Sequence, residues 1–176
     1  VVLSGPSGAG KDAVLDEMAR RGHTFHRVVT CTTRPPRDTE RDGIDYHFLS
    51  DAEFERLIAG NGLLEHAVVY GRHYGVPRQQ VVDKLAEGID VYVRTDVQGA
   101  ASIKGLMPEA VLVFIAPSSL DDLEERLRAR GSDDDERIAG RLATAREEMA
   151  RQHEFTYVII NEPGKLEATV DRLVEA

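Results

Sequence analysis

Residues 5–11 read GPSGAGK and fit the phosphate-binding pattern GxxxxGK. An apolar run at residues 1–4 precedes them and a helix-like pattern follows, which is the context that this motif requires. The glycines let the backbone curl so that successive N–H groups face inward, and the helix N-terminus adds partial positive charge. Lys11 would then reach the β- and γ-phosphates of a nucleotide. The cradle predicted in this way consists of Gly5, Pro6, Ser7, Gly8, Ala9, Gly10 and Lys11.

Asp12 follows at the position where the pattern has the Ser or Thr hydroxyl that contacts Mg²⁺. A carboxylate beside a triphosphate is repelled unless it faces the metal or the solvent. Two interpretations stay open at this point. Asp12 either touches the Mg²⁺ shell through water, or it stabilises the first turn of the helix, where acids are favoured.

A second group of candidate residues lies in the polar stretch TTRPPRDTERDGID, residues 32–45. Arg34 and Arg37 are three residues apart, and the Tyr46 hydroxyl follows. These groups could converge on one phosphate dianion, because arginine binds phosphate in bidentate fashion. The alternative is a solvated loop of surface charges.

The elements that must position these residues alternate between strand-like and helix-like patterns. Ser50 and Glu53 form a capping box that predicts a helix start. Strands are predicted by five apolar runs, at residues 1–4, 26–31, 89–94, 111–115 and 157–160. The third and fourth runs are apolar on both faces, as buried parallel strands are. The alternation predicts an α/β fold with a mostly parallel sheet flanked by helices, interrupted by arginine-rich segments at 32–76 and 128–140.

The chain resembles the guanylate kinase family of P-loop nucleoside monophosphate kinases over nearly its whole length. The resemblance rests on the phosphate loop, on TTRPPR and DGIDYHF at 32–37 and 42–48, on Leu64-Glu65-His66, Tyr74-Gly75 and Asp96-Val97-Gln98-Gly99, and on a lid-like segment at 126–141. It implies the P-loop nucleotide kinase fold in a single domain, residues 1–176. Within that domain it implies a core (1–31, 77–127 and 141–176), a GMP-binding insert (32–76) and a lid (128–140).

The resemblance also implies transfer of the γ-phosphoryl of ATP to GMP, and to dGMP, with Mg²⁺. Glu65 has a chemistry that suits guanine, since a carboxylate accepts from N1–H and the exocyclic amine together, whereas adenine has no donor at N1. As an alternative, Glu65 is an exposed strand residue. The implied GMP-binding residues are Thr30, Arg34, Arg37, Tyr46, Glu65, Tyr74 and Asp96.

The implied catalytic residues are Lys11 and the arginines of the lid, Arg126, Arg130 and Arg141. Charge spreads over the equatorial oxygens of the phosphoryl group during transfer, and a positioned arginine stabilises that charge. Arg128 and Arg137 are expected to face solvent or to pair with the acidic run at 133–136. The implied ATP site comprises the phosphate loop, Asp12 and Asn161, of which Asn161 has the alternative of a plain turn residue.

Two further positions depart from the pattern of the family. Arg94 stands where the family has an acid, and Val76 stands where it has Ser or Thr to donate to guanine O6. Two alternatives to guanylate kinase activity follow. One is a ribose 1,5-bisphosphate phosphokinase, which the sequences GKD and Tyr74-Gly75-Val76 resemble, and the other is a non-catalytic guanylate-kinase-like binding domain, which would tend to lack Lys11.

Composition limits the partners. The chain of 176 residues carries 31 acidic and 22 basic residues, a net charge of −9, and 18 of the basic residues are arginine. This balance argues against generic nucleic-acid binding, and no apolar run is long enough for a membrane span. A single cysteine, Cys31, and the absence of a secretory pattern predict a cytoplasmic location. The expected partners are ATP and GMP, and the expected state is a monomer or a small homo-oligomer.

Overall fold

The computed structural model describes residues 1–69, 71–131 and 133–176. The strands are β1 (Val2–Ser4), β2 (His26–Arg27), β3 (Cys31–Thr32), β4 (His47–Phe48), β5 (Leu63–Val69), β6 (Arg72–Pro77), β7 (Val91–Arg94), β8 (Leu112–Pro117) and β9 (Tyr157–Asn161). The helices are α1 (Lys11–Arg20), α2 (Asp51–Ala59), α3 (Arg78–Ala86), α4 (Val97–Leu106), α5 (Leu120–Ala129), α6 (Asp135–Ala150) and α7 (Leu166–Glu175), with a 3-10 turn at Gln152–Glu154.

The main sheet has five strands in the order β2-β7-β1-β8-β9, and every neighbouring pair is parallel. All residues of β7 and β8 are buried, as the apolar character of both faces predicts. Helices cover both faces: Val14, Leu15 and Met18 of α1 pack in one apolar cluster, and Ala100 and Ile103 of α4 pack in another. The predicted α/β fold with a mostly parallel sheet is therefore confirmed.

A second sheet of four strands, in the order β4-β3-β6-β5, is formed by the segment between β2 and α3. Its β5–β6 and β3–β6 pairs are antiparallel, whereas β3 and β4 are parallel. Helix α2 begins with the predicted capping box: Ser50 accepts from the Glu53 N–H, and the Glu53 carboxylate accepts from the Ser50 N–H. Phe54 of α2 is fully buried against Cys31 and Leu63. This sheet thus has its own small core.

The prediction of one strand over residues 26–31 was wrong, because the segment divides into two short strands. β2 pairs with β7 in the main sheet, and β3 pairs with β6 and β4 in the second sheet. Between them, the Gln80 side chain accepts from the Val29 N–H at 3.0 Å and donates to the Val29 carbonyl at 3.2 Å. A side-chain amide thus satisfies backbone groups that would otherwise need a strand partner.

Helices α5 and α6 form the edge of the molecule that contains the predicted lid. Gly131 has φ +65°, a left-handed conformation that suits glycine at the end of α5. The Asp134 carboxylate accepts from the Arg137 N–H at 2.9 Å and caps α6, so the acidic run is the helix start that the sequence predicts. Ser132 of the predicted lid lies outside the described residues. Among the described residues, no helix has both the length and the apolar character needed to cross a membrane.

Candidate active site

The phosphate loop joins the carboxyl end of β1 to the start of α1. Gly10 precedes the helix with φ +96°, and Gly5 and Gly8 also have positive φ. A Cβ on Gly5 would overlap the carbonyl oxygen of Ile115 in the neighbouring strand. The loop therefore requires glycine at these positions, both for its backbone conformation and for close contact with the sheet.

Lys11 is the first residue of α1, and its side chain folds back over the loop. Its Nζ donates to the carbonyl oxygens of Gly5 and Pro6, the latter at 3.0 Å. Burial lowers the pKa of Lys11, against the opposing effect of nearby carboxylates of Glu148 and Asp12. No carboxylate of the described residues is bonded to this ammonium group, and a desolvated cation held by two neutral carbonyls can attract an anion strongly.

Asn161 and Arg126 hold the loop from the side. The Asn161 Nδ2 donates to the Ala9 carbonyl at 2.8 Å, and the Arg126 guanidinium donates to the same carbonyl at 3.3 Å and to the Asn161 carbonyl at 2.7 Å. Thr169 of α7 donates to the Asn161 Oδ1 at 3.1 Å. Asn161 is 5% exposed, so its side chain fixes the loop, and a contact with adenine stays a prediction.

The lid arginines differ in what they contact. Arg141 of α6 donates to the Ser7 hydroxyl at 2.8 Å and pairs with Asp133 at 3.1 Å, which brings α6 to the phosphate loop. Arg130, just after α5, is exposed. Arg128 pairs with Asp135 at 2.6 Å, and Arg137 lies 3.9 Å from Asp134, as the sequence predicts for these two.

Arg34 and Arg37 are brought together by a residue that the sequence did not single out. The Glu40 carboxylate accepts from the Arg34 guanidinium at 2.9 Å, from the Arg37 guanidinium at 3.3 Å and from the Arg37 N–H at 2.8 Å. Burial alone would raise the pKa of Glu40, but the hydrogen bonds from Arg34 and Arg37 hold it below its usual value. The carboxylate thus lies where two cations converge, as a phosphate would.

Aromatic rings complete this group. The Arg34 guanidinium lies 5.4 Å from the centre of the Tyr46 ring, and the Tyr74 ring lies 6.2 Å from the Tyr46 ring. Burial raises the pKa of Tyr46, so its hydroxyl keeps its proton and can donate. Thr30 is buried, and its carbonyl accepts from the N–H of His47, the residue after Tyr46, at 2.8 Å. Of the predicted set, Arg34, Arg37, Tyr46 and Tyr74 form one cluster.

Glu65 on β5 is 7% exposed, which rules out the alternative of an exposed strand residue. Its carboxylate accepts from the Thr95 hydroxyl at 3.3 Å. Burial, together with the charge of Asp96, raises the pKa of Glu65 to about 7. A Cβ on Gly99 would overlap Thr95 Oγ1 and lie 2.8 Å from the Glu65 carboxyl, so a larger residue there would displace these two side chains.

Asp96 lies at the carboxyl end of β7, the edge where open α/β sheets bind ligands. Its Oδ1 accepts from the Gly99 N–H at 2.7 Å and caps α4. A cleft of about 230 Å³ beside it is lined by Asp96, Gln98, Glu148 and Arg151, among others. Burial raises the pKa of Glu148, and the positive charge of Lys11 opposes that rise.

Asp12 is bonded to two arginines, which neither interpretation from the sequence anticipates. Its Oδ1 accepts from the guanidinium groups of Arg94 and of Arg27, the latter at 2.6 Å. Burial would raise the pKa of Asp12, but these two cations hold it below its usual value. The side chain makes no capping hydrogen bond, since Gly10 is the N-cap of α1.

The described residues contain no group of three or more acidic, His or Cys side chains that could hold a metal ion. The described side chains therefore do not suit a metal site formed by protein ligands alone. They do fit a Mg²⁺ ion held mainly by nucleotide phosphates and water, which needs only one or two carboxylates, such as Asp12 and Asp96.

The fold and the phosphate loop together define a P-loop phosphotransferase with a second, smaller sheet. The guanylate kinase family model matches residues 1–176, and the chain belongs to the guanylate kinase family. It is 50% identical to the guanylate kinase of Gloeobacter violaceus over 171 residues, which are 97% of this chain and 82% of that protein. It is 48% identical to the guanylate kinase of Thermobifida fusca over 160 residues, 91% of this chain and 82% of that one. The crystal structure of guanylate kinase from Anaplasma phagocytophilum covers 99% of this chain, with 81% of its own chain aligned, at a TM-score of 0.77 and 34% identity.

Proposed function

We propose that the chain transfers the γ-phosphoryl group of ATP to GMP or dGMP and releases ADP and GDP or dGDP. The observation that carries this proposal is the pairing of a phosphate loop containing Lys11 with a separate convergent pair, Arg34 and Arg37, in a member of the guanylate kinase family. Two anion sites on one chain suit an enzyme with two nucleotide substrates.

The acceptor phosphate would bind to Arg34, Arg37 and the Tyr46 and Tyr74 hydroxyls, and would displace Glu40 from the two guanidinium groups. The guanine base would bind to Glu65 in its ionised form, through N1–H and the exocyclic amine. A site with such a pair rejects a base that lacks those donors by roughly 10⁴-fold or more, because the buried carboxylate is then left without a partner. Thr30 and Asp96 would line the same pocket.

The donor triphosphate would lie in the phosphate loop, with Asn161 beside the adenine. Lys11, Arg126, Arg130 and Arg141 would stabilise the charge that develops on the transferred group, and no covalent intermediate is needed. Mg²⁺ would supply neutralisation of the β- and γ-phosphate oxygens when ATP is bound, with Asp12 or Asp96 in contact with its water ligands. Exposed Arg130 would move towards the phosphates as a lid, residues 128–140, closes over the core and the insert, residues 32–76.

We place the reaction in the cytoplasm, where both nucleotides occur, on a monomer or a small homo-oligomer without nucleic-acid or membrane partners. The buried thiol of Cys31, with burial raising its pKa to about 11, suits a reducing compartment because it is an unreactive core residue. A ribose 1,5-bisphosphate phosphokinase is disfavoured, because a sugar bisphosphate has no group that needs the buried carboxylate of Glu65.

A coupled assay of ADP release, with GMP, dGMP, AMP and ribose 1,5-bisphosphate as acceptors, tests the proposal. We expect turnover with GMP and dGMP, and less than about one thousandth of that kcat/KM with AMP, given the cost of leaving Glu65 without its partners. Lys11→Met serves as the control for contaminating kinases. Turnover with the sugar bisphosphate and none with GMP would overturn the proposal, and no ADP release with any acceptor would favour a binding domain.

A further inference from the structure

Arg94 is a buried cation that lies between the two anion sites. It is the last residue of β7, where it lies opposite Leu3 of β1, one residue before the end of that strand. The side chain is 8% exposed. Its Nη1 donates to the Asp12 carboxylate at the end of the phosphate loop, and its Nη2 donates to the Asp45 carbonyl in the insert at 3.1 Å.

The same guanidinium also contacts the acceptor cluster. The Cζ atom of Arg94 lies 5.5 Å from the centre of the Tyr46 ring, and the Arg34 guanidinium lies over the same ring. The Nε of Arg94 is buried, and no described atom accepts a hydrogen bond from it. A buried charge needs a partner, and here the partner is Asp12. Arg94 therefore joins three components: the phosphate loop, the turn at Asp45 and the ring of Tyr46.

These contacts explain the carboxylate at position 12. A Ser or Thr hydroxyl there would leave the buried guanidinium without a counter-charge, whereas Asp12 neutralises it. The second partner of Asp12 differs in its surroundings. Arg27 is 24% exposed and bonds Asp16 at 2.5 Å, and within the described part of the chain no hydrogen bond or ion pair joins it to the insert. Asp12 thus has one arginine that reaches the insert and one that does not.

We propose that Arg94 is a positioning residue for the acceptor phosphate, which, anchored by Asp12, holds Asp45 and Tyr46 of the insert in register with the phosphate loop. The proposal rests on the proposed function in that it takes the Tyr46 cluster as the GMP phosphate site. Of the two carboxylates that could contact the water ligands of Mg²⁺, it assigns Asp12 to this anchor and leaves that contact to Asp96. Loss of Arg94 therefore affects GMP and leaves ATP binding largely intact.

The test compares Arg94→Met with Arg27→Met, since each removes one cation from Asp12. Dissociation constants for GMP and for a non-hydrolysable ATP analogue are measured by calorimetry, and KM for both substrates by the coupled assay. Arg94→Met should weaken GMP binding by on the order of 10- to 100-fold, as displacement of a positioning group does, and should change binding of the ATP analogue less than about twofold. Arg27→Met should leave GMP binding within about twofold of the wild type.

Equal effects of the two variants on GMP, or a loss confined to the ATP analogue, would overturn the proposal. If Arg94→Met does not fold, Asp12→Asn carries the test, because it leaves Arg94 in place without its anchor and should weaken GMP selectively. Unchanged GMP binding in Asp12→Asn would also overturn it. In the double variant Arg94→Met/Asp12→Asn, the losses of GMP affinity should not multiply, since both changes break the same ion pair. A wild-type protein that binds GMP but does not phosphorylate it refutes the proposed function and leaves this comparison valid.

Discussion

Glu65 has to satisfy two opposite requirements. Burial favours the protonated carboxyl and raises its pKa to about 7, whereas hydrogen bonds from N1–H and the amine of guanine require the ionised form. A guanine base bound as proposed therefore has to select the ionised form, which the burial of Glu65 disfavours. A pKa displaced by burial next to a second acid, Asp96, is typical of a binding or catalytic position and unusual for a purely structural strand residue.

The pH dependence of GMP binding should reveal this conflict. Below about pH 7 the protonated fraction of Glu65 rises, so KM for GMP should rise about tenfold for each further pH unit. Above pH 8 it should become constant. The measurement is KM for GMP between pH 5.5 and 8.5, with KM for ATP followed in parallel.

Glu65→Gln is the control, because its amide does not titrate in this range. This variant should bind GMP more weakly at pH 8 and should lose the additional rise at low pH, while the titration of the GMP phosphate is common to both proteins. An identical pH profile for the two proteins would remove Glu65 from the site. Glu125→Gln, at an exposed position of α5, should match the wild type throughout.

The type and spacing of residues indicated the charged groups of the site, but not how they are paired. GxxxxGK and the Arg34–Arg37 spacing predict cations near phosphate from local sequence alone. The Asp12–Arg94 pair spans 82 positions, and no local pattern connects residues that far apart. One signal was present in the sequence. Asp12 in place of a hydroxyl and Arg94 at the end of a buried strand are each unfavourable alone, but they are compatible as an ion pair. Glu40 had no such signal.

At the level of elements, strongly periodic segments were predicted well and the connection between the sheets was not. The capping box of α2 and the apolar strands β7 and β8 follow local rules that tertiary contacts do not change. The run at 26–31 has the composition of one strand, yet the chain passes from one sheet to the other within it. Gln80 enables this change, and its role depends on α3, some fifty residues further on.

Gln80 should therefore contribute more to stability than its polar character suggests. Gln80→Ala leaves the N–H and the carbonyl of Val29 without partners and removes the contact to His47 at 3.2 Å. We expect a loss of about 1–3 kcal/mol in the free energy of unfolding, measured by urea denaturation.

Gln79→Ala is the matched control in the same helix, because Gln79 is exposed and bonds only Asp83 among its described neighbours. It should change stability by less than about 0.5 kcal/mol. Similar losses in the two variants would mean that Gln80 does not support the division of residues 26–31 into two strands.

For the molecule as a whole, a net charge of −9 coexists with a local concentration of cations. Lys11, Arg34 and Arg94 lie along the carboxyl edge of the main sheet and the adjoining insert, whereas many acids are exposed on helices, such as Asp135 at 86% exposure. Fields in a cleft depend on nearby charges more than on net charge. The arginine-rich composition and the acidic total therefore do not conflict.

Ionic strength distinguishes the local field from the net charge. If the cleft governs the approach of the anionic substrates, raising KCl from 50 to 300 mM should lower kcat/KM for GMP several-fold. Added salt shortens the distance over which the cations of the cleft attract an anion. If the net negative charge governed it, the same change would raise kcat/KM. The measurement is made at fixed Mg²⁺ and pH 8, and a matched series in an uncharged osmolyte controls for viscosity and water activity.

Glu40 occupies the space between the Arg34 and Arg37 guanidinium groups before any ligand binds. Two guanidinium groups repel each other, and the carboxylate relieves this repulsion while the chain folds. If the acceptor phosphate binds there as proposed, it would meet cations that are already assembled, and binding would exchange one anion for another. On the proposed function, Glu40 therefore has to release both guanidinium groups before the acceptor phosphate can bind to them.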